Sequence, residues 1–146
     1  RLTEEERHVM EEHAEMGYRI LAGSGVELLD LAALMALTHH ERIDGTGYPA
    51  GLAGDAIPIE GRICAVADVF DALTSDRVYR PAFQVEEARE MMENERGTQF
   101  DADLLDLFFA SFDDVLAIRR SADHGNAELT LARALAHVTS RALRGA

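Results

Sequence analysis

The chain has 146 residues, of which 47% are hydrophobic, and its 27 acidic residues against 14 Lys plus Arg give a net charge of -13. This length and apolar content allow one domain with a real core, and they exclude disorder as the default. The acidic balance, with no basic stripe, excludes a groove for long nucleic acid, whereas a small anionic substrate stays possible because metal ions and a few arginines can set the local field.

The first part of the chain predicts two helices followed by a long loop. A capping box at Thr3 and Glu6 opens the first helix, which contains His13. The second helix, about residues 26–40, is nearly all apolar, so we expect it to be central. Residues 41–58 form a loop punctuated by glycine and proline. This loop is long for a structureless connection in a compact domain, which favours a functional role.

The rest of the chain predicts further helices and no strand, because no segment alternates convincingly between apolar and polar residues. We expect helices over about residues 59–74, 85–96 and 102–119, and the fold class is predicted to be all-α. The second and third helices are expected to pack together, since both carry long apolar stripes. Residues 1–119 are predicted to form the main domain, and residues 120–146 a linker and a C-terminal amphipathic helix.

The cellular environment is predicted from two features. Cys64 is the only cysteine, so no internal disulfide can form, and we expect a reducing, cytoplasmic compartment. No apolar run reaches the length of a membrane span and no signal peptide is recognisable, so we expect no membrane partner for this chain.

A pair of adjacent histidines closes the apolar second helix. His39 and His40 are followed by two acids, Glu41 and Asp44, and then by a stiff loop rich in Gly and Pro. Imidazole and carboxylate ligands at a helix end suit a divalent transition metal with open coordination positions. Because helical neighbours point about 100° apart, the pair indicates two ions side by side more than one. The alternative is a solvated helix end.

Four more residues are candidates for chemistry. Asp68 lies in a largely apolar helix, and burying its charge requires a cation, several donors or an arginine such as Arg62 or Arg77. His13, by itself, is typical of a packed or exposed side chain. Arg77 and Arg80 are three residues apart, so they can share a face and hold phosphate oxygens, although surface solvation is the usual alternative.

Together these motifs resemble the C-terminal part of an HD-GYP domain, the bacterial phosphodiesterase branch of the HD metal-dependent phosphohydrolases. The resemblance covers about residues 2–112. It implies a helical HD-type bundle, hydrolysis of cyclic di-GMP, and a site with two or three iron or manganese ions. The matching segments are His39-His40-Glu41, Asp44-Gly45, Gly47-Tyr48-Pro49, Gly51-Leu52, Gly54, Ile57-Pro58, the run from Ala67 to Ser75, and Gly97-Thr98-Gln99-Phe100-Asp101.

The resemblance also assigns roles to single residues. The metal ligands it implies are His13, His39, His40 and Asp68. Its substrate-binding residues are the phosphate-contacting pair Arg77 and Arg80 and the loop residues Asp44, Gly47, Tyr48 and Pro49. The loop of residues 41–58 is similar to an element that lies at the lip of the substrate site and contacts signalling proteins.

The chain departs from the family pattern in one respect. HD-GYP domains carry a His-Asp-x-Gly-Lys motif upstream of the first helix found here, and this chain has none. The resemblance therefore implies an N-terminally truncated bundle in which no catalytic residue can be assigned. It implies that the intact parent protein hydrolyses cyclic di-GMP and that this chain alone is inactive. The alternatives are a degenerate module that binds nucleotides or proteins, and a phosphohydrolase acting on another nucleotide. We also expect an apolar face on the first two helices to support a homodimer.

Overall fold

Six α-helices form the part of the chain that the computed structural model describes, residues 3–77 and 80–123. They are α1 (Glu4–Leu21), α2 (Glu27–Thr38), α3 (Ile59–Thr74), α4 (Val85–Asn94), α5 (Ala102–Ala110) and α6 (Phe112–Asp123), with one turn of 3-10 helix at Gly54–Ala56. Among these residues there are isolated β-bridges but no strands, so the all-α prediction is confirmed. The chain divides into two units after Asp106, and the candidate site lies in the first.

The start of α1 is fixed by the predicted capping box. The Thr3 hydroxyl accepts a hydrogen bond from the Glu6 amide at 3.2 Å, and the Glu6 carboxylate accepts one from the Thr3 amide at 2.8 Å. These bonds satisfy amides that a helix start otherwise leaves open. Further along, α1 packs closely on α2, because a Cβ at Gly17 would lie 3.1 Å from the Ala36 methyl.

The contact between α2 and α3 is closer still. A Cβ added at Gly61 would lie 2.8 Å from the Thr38 Cβ, and it would overlap the Thr38 hydroxyl oxygen. Thr38 uses that hydroxyl to donate a 2.7 Å hydrogen bond to the Leu34 carbonyl. The predicted packing of the second and third helices is therefore confirmed, and it depends on a glycine at this crossing.

The core of the first unit is small and consists of side chains from every helix in it. Its buried apolar residues are Ala14, Ala33, Ile57, Ala65, Val66, Phe70, Ala88, Met92, Phe100 and Leu105. One expectation about α3 is wrong: Asp68 is exposed instead of buried, and Ile63 on the same helix is 51% exposed. The apolar sequence of α3 exceeds what its neighbours in this unit cover.

Helix ends differ from the prediction where local hydrogen bonds end the helix early. α2 ends at Thr38, before the histidine pair. The predicted helix of residues 102–119 is two helices that meet at Ser111, whose carbonyl accepts the first hydrogen bonds of α6 from the amides of Asp114 and Val115. α6 then continues to Asp123, past the predicted start of the linker. The C-terminal amphipathic helix predicted over residues 127–143 lies outside the described residues.

The second unit begins within α5. Its described residues include an edge-to-face cluster of Phe108, Phe109 and Phe112, with ring centroids 5.3–6.1 Å apart. Of the helices described in either unit, none combines the length and apolar character required to span a bilayer.

Candidate metal centre

Three imidazoles meet at the end of α2. His13 comes from α1, and His39 and His40 follow the last residue of α2. The Nε2 atom of His13 lies 3.4 Å from that of His39 and 3.0 Å from that of His40. In the described part of the chain, these three residues form the group whose possible ligand atoms all lie within 4.8 Å of one another.

The two neighbouring histidines can converge because the helix has already ended. His39 is the C-cap residue of α2, and His40 belongs to the turn that follows. Their ring centroids are only 3.9 Å apart, with 39° between the ring planes. The expectation that the two rings diverge assumed a regular helix through both residues, and that assumption is wrong. The number of ions that the pair serves stays a prediction.

Backbone carbonyls set the protonation of two of the three rings. The Nδ1 of His13 lies 2.6 Å from the Met10 carbonyl oxygen, and that of His39 lies 2.8 Å from the Ala36 carbonyl oxygen. A carbonyl can only accept, so in both rings Nδ1 carries a proton, and in the neutral tautomer this leaves Nε2 as the lone-pair atom. This is the usual arrangement of a histidine that ligates a metal through Nε2.

The facing Nε2 atoms suit a cation. The Nε2 atoms of His13 and His39, 3.4 Å apart, are both acceptors and cannot satisfy each other. Imidazole nitrogens that bind one ion at about 2.0–2.1 Å, with angles of about 90–110° between them, are about 2.9–3.4 Å apart. Both measured separations, 3.0 and 3.4 Å, match that range. The residues present therefore fit a divalent transition metal.

His40 is held in its neutral form. Burial lowers its pKa to about 4, with further lowering from His39 and His13, while Asp68 and Glu11 act in the opposite direction. A ring with so low a pKa is uncharged at neutral pH. It can therefore act as a ligand without first losing a proton.

Asp68 does not join the three imidazoles. It is exposed on α3 and, within the described residues, makes no hydrogen bond or ion pair. Its charge acts through space on His40, and it adds to burial in raising the pKa of the Cys64 thiol. The alternative partner, Arg62, binds Asp101 at 2.7 Å and Asp55 at 3.1 Å. Ligation by Asp68 stays a prediction.

The Gly-Tyr-Pro segment covers one side of His40. The Tyr48 ring lies 4.7 Å from the His40 ring, with 33° between the planes, and the Tyr48 amide donates to the His40 carbonyl at 3.2 Å. A Cβ at Gly47 would lie 2.6 Å from that same carbonyl oxygen, so no larger residue fits without moving the chain. The peptide between Tyr48 and Pro49 is cis. Burial raises the pKa of the Tyr48 phenol, which is therefore protonated at neutral pH.

Glu41 has a role that the sequence did not reveal. It is only 3% exposed, and its carboxylate accepts hydrogen bonds from the amides of Ala50 at 2.8 Å and Leu52 at 2.9 Å. The sequence placed this acid beside the histidines, where it could be taken for a ligand. The fold instead turns its side chain into the loop.

Asp44 and Arg42 also shape the loop. The Asp44 carboxylate accepts from the amide and the hydroxyl of Thr46 at 2.9 and 2.6 Å, and these bonds, with Arg42, hold its pKa below the usual range. Arg42 donates to Gln99 at 2.7 Å and to Glu95 at 2.9 Å, which ties the loop to the turn after α4. The part of Asp44 in substrate binding stays a prediction, and sequence analysis missed Arg42.

The two arginines predicted to hold phosphate have different surroundings. Their backbones bond to each other at 2.8 and 3.0 Å. Arg77 is exposed, whereas Arg80 is half-buried, donates to the Ala72 carbonyl at 2.8 Å and lies 4.1 Å above the Phe83 ring. The Nη1 of Arg80 is buried and has no acceptor among the described residues. A shared phosphate-binding face therefore remains a prediction.

Known proteins related to this chain are phosphodiesterases. The chain is 50% identical over 106 residues to the cyclic di-GMP phosphodiesterase response regulator RpfG of Xanthomonas campestris pv. campestris, covering 73% of this chain and 28% of that protein. It is 46% identical over 123 residues to a cyclic di-GMP phosphodiesterase of Vibrio cholerae, covering 81% and 25%. The 3'3'-cGAMP-specific phosphodiesterase 2 of Vibrio cholerae is 43% identical over 121 residues, covering 83% and 23%. The chain thus spans about a quarter of the length of these relatives.

A family comparison agrees with the geometry. The sequence profile of the HD domain matches residues 1–104, which include all three histidines of the cluster. HD domains bind divalent metals, and the converging Nε2 atoms of this chain are a group that could hold such an ion. The chain belongs to the HD-domain family and is an HD-GYP-type member of it.

Proposed function

We propose that this chain is the metal-binding part of a phosphodiesterase that hydrolyses cyclic di-GMP in the intact protein. The observation that carries the proposal is the convergence of the Nε2 atoms of His13, His39 and His40. The printed functions of the relatives support the substrate. We infer that the chain alone is inactive, because its sequence contains neither a His-Asp pair nor a lysine.

Different residues of the site would bind the metal and the substrate. When bound, a divalent metal supplies Lewis acidity and a water of lowered pKa. His13, His39 and His40 would hold it, with Asp68 as a further ligand if its carboxylate turns towards His40. The Tyr48 ring keeps water from one face of the His40 imidazole. Arg77 and Arg80 would hold the phosphate oxygens of the substrate and offset charge as it develops.

The identity and number of the ions are part of the proposal. Imidazole ligands alone suit zinc, copper, iron and nickel, and carboxylate oxygens shift the preference towards manganese and iron. A site of three imidazoles joined by Asp68 therefore favours iron or manganese. Two or three ions require more ligands than this chain supplies, so they belong to the intact domain.

A second cyclic dinucleotide is an alternative substrate. The relative specific for 3'3'-cGAMP supports a second cyclic dinucleotide, since its similarity covers 83% of this chain. Both candidate substrates present phosphodiesters between purine nucleotides, so the same metal chemistry serves either. A cytoplasmic location is proposed with either substrate.

A binding function is the second candidate. The loop of residues 41–58 is fixed from within by Glu41 and is tied by Arg42 to Glu95, and its tip around Gly51 is exposed. A rigid, exposed loop suits contact with a signalling protein, because little order is lost on binding. The apolar side chains of α1 and α2 that are exposed, such as Ile20 at 76% and Leu28 at 72%, suit a homodimer.

Metal titration and hydrolysis assays separate these functions. We expect Mn²⁺ or Fe²⁺ to bind the chain, and His40→Ala to abolish binding, while His8→Ala, an exposed histidine on the same helix as His13, leaves it unchanged. The protein as its gene encodes it should hydrolyse cyclic di-GMP faster than 3'3'-cGAMP. Absence of metal binding by the chain, together with a gene product that hydrolyses neither cyclic dinucleotide, would overturn the enzymatic proposal and leave the binding function. Hydrolysis that survives His40→Ala in the gene product would refute the metal-ligand role given to the three histidines.

A further inference from the structure

We propose that Glu41 is a positioning residue of the metal centre: its buried carboxylate fixes the Gly-Tyr-Pro segment so that Tyr48 holds the His40 imidazole in its ligand orientation. The inference rests on the proposed metal site. It concerns a residue whose carboxylate accepts hydrogen bonds from loop amides and is not among the three converging ligands.

The first step is the fixation of the loop. Glu41 accepts two backbone amides, those of Ala50 and Leu52, and an ionised carboxylate offers an acceptor oxygen for each. No other acceptor among the described residues serves these two amides. Because Glu41 is only 3% exposed, water cannot easily take its place.

The second step connects this anchor to Tyr48. Ala50 is two residues beyond Tyr48, with Pro49 between them, so the segment has few free torsions. On its other side, Tyr48 is held by the hydrogen bond that its amide donates to the His40 carbonyl and by the contact of Gly47 with the turn. The ring is therefore held from both sides, and Glu41 supplies one of the two anchors.

The third step is what distinguishes His40 from its partners. His13 and His39 are each oriented by an Nδ1 hydrogen bond to a carbonyl. In the described residues His40 has no such bond, and its ring lies between those of His39, at 3.9 Å, and Tyr48, at 4.7 Å. Stacking thus orients this imidazole together with its contact to His13, whose Nε2 lies 3.0 Å from that of His40. Loss of the Tyr48 side of the stack should loosen His40 alone.

The test is a double-mutant cycle on metal affinity. Glu41→Gln keeps the size of the side chain but replaces one acceptor oxygen with a donor. We expect it to weaken Mn²⁺ binding by about 10–100-fold, the usual effect of removing a group that orients a ligand. Tyr48→Ala should weaken binding similarly, and adding Glu41→Gln to it should cause no further loss. Tyr48→Phe, which keeps the ring, should bind normally.

Glu15→Gln is the matched control. Glu15 lines the same cleft of about 420 Å³ as Glu41, but its carboxylate binds Arg19 on the surface of α1 and, among the described residues, accepts no hydrogen bond from the loop. We expect unchanged metal affinity. A readout without metal completes the design: the NMR signals of the His40 ring in Glu41→Gln should move towards those of Tyr48→Ala. If Glu41→Gln does not fold, Glu41→Asp, which is too short to reach both amides, takes its place.

The outcomes are distinguishable. Additive losses in the double mutant, or normal affinity in Glu41→Gln beside a wild-type protein that binds Mn²⁺, would show that Glu41 acts only on stability. If wild-type protein binds no metal, the proposed function fails, and the His40 signals alone then decide the positioning role. Unchanged His40 signals in Glu41→Gln would refute the positioning role.

Discussion

Replacing Gly61 with alanine should loosen the fold at the metal centre. The added methyl would lie 2.8 Å from the Thr38 Cβ and would overlap the Thr38 hydroxyl, so α2 and α3 must separate or Thr38 must rotate. Rotation breaks the 2.7 Å bond from that hydroxyl to the Leu34 carbonyl. Both responses disturb Thr38, the residue directly before His39.

The size of the effect follows from two destabilising terms and one stabilising term. Overpacking at a tight contact costs about 1–3 kcal/mol, and a lost hydrogen bond about 1 kcal/mol. Alanine gains about 1 kcal/mol over glycine inside a helix. We therefore expect Gly61→Ala to lower the free energy of unfolding by about 1–3 kcal/mol, and to weaken metal binding as well.

Urea denaturation and metal titration measure the two effects. Thr38→Ala removes the overlapping oxygen, so Gly61→Ala should cost less in that background than in the wild type. Gly17→Ala is the control, because its methyl would meet only the Ala36 methyl at 3.1 Å. Equal losses from Gly61→Ala in both backgrounds, or no loss at all, would refute the argument that this helix crossing requires glycine.

Three further predictions test other parts of the structure. Mn²⁺ at 100 times its dissociation constant should stabilise the chain by about 2.7 kcal/mol, and His13→Ala should abolish this thermal shift. Burial opposes ionisation of Asp101, but hydrogen bonds from the Leu104 amide and Arg62 hold its pKa below the ordinary value of 3.8. The contribution of the ionised carboxylate to folding stability is therefore complete above pH 3.8, and it is lost as the pH falls through the lower pKa of the folded state. Asp101→Asn should accordingly destabilise the fold by about 1–3 kcal/mol at pH 7, and its effect should shrink progressively as the pH falls below 3.8, as thermal melts would show. Self-association, measured by light scattering, should be weakened by Ile20→Glu, since that side chain is 76% exposed; a monomeric wild-type chain would contradict it.

The sequence predicted helices well because their signals are local. The Thr3 capping box and the apolar run of α2 identify their helices without reference to the rest of the chain. The end of α2 was placed two residues late, since the bonds that end it, such as the Glu41 amide to the Thr38 carbonyl, depend on the turn that follows. The break at Ser111 was missed for a similar reason, because no glycine or proline marks it.

The candidate site was predictable only in part. The family resemblance brought His13 to the histidine pair, and the structure brings these three together. Burial of Asp68 was inferred from an apolar sequence, but burial depends on which faces the neighbouring helices cover. The roles of Glu41 and Arg42 arise from contacts across the loop and to residues 95–99, which no local pattern encodes.

The chain builds its metal site from parts of unequal rigidity. His13 and His39 are oriented by carbonyls of their own helices, so their geometry persists wherever α1 and α2 remain folded. His40 depends on a loop that two buried or half-buried side chains, Glu41 and Arg42, hold in place. Anything that binds the exposed part of this loop therefore acts first on His40. A signalling partner on the loop of residues 41–58 and the chemistry of the metal centre would be coupled through that one ring.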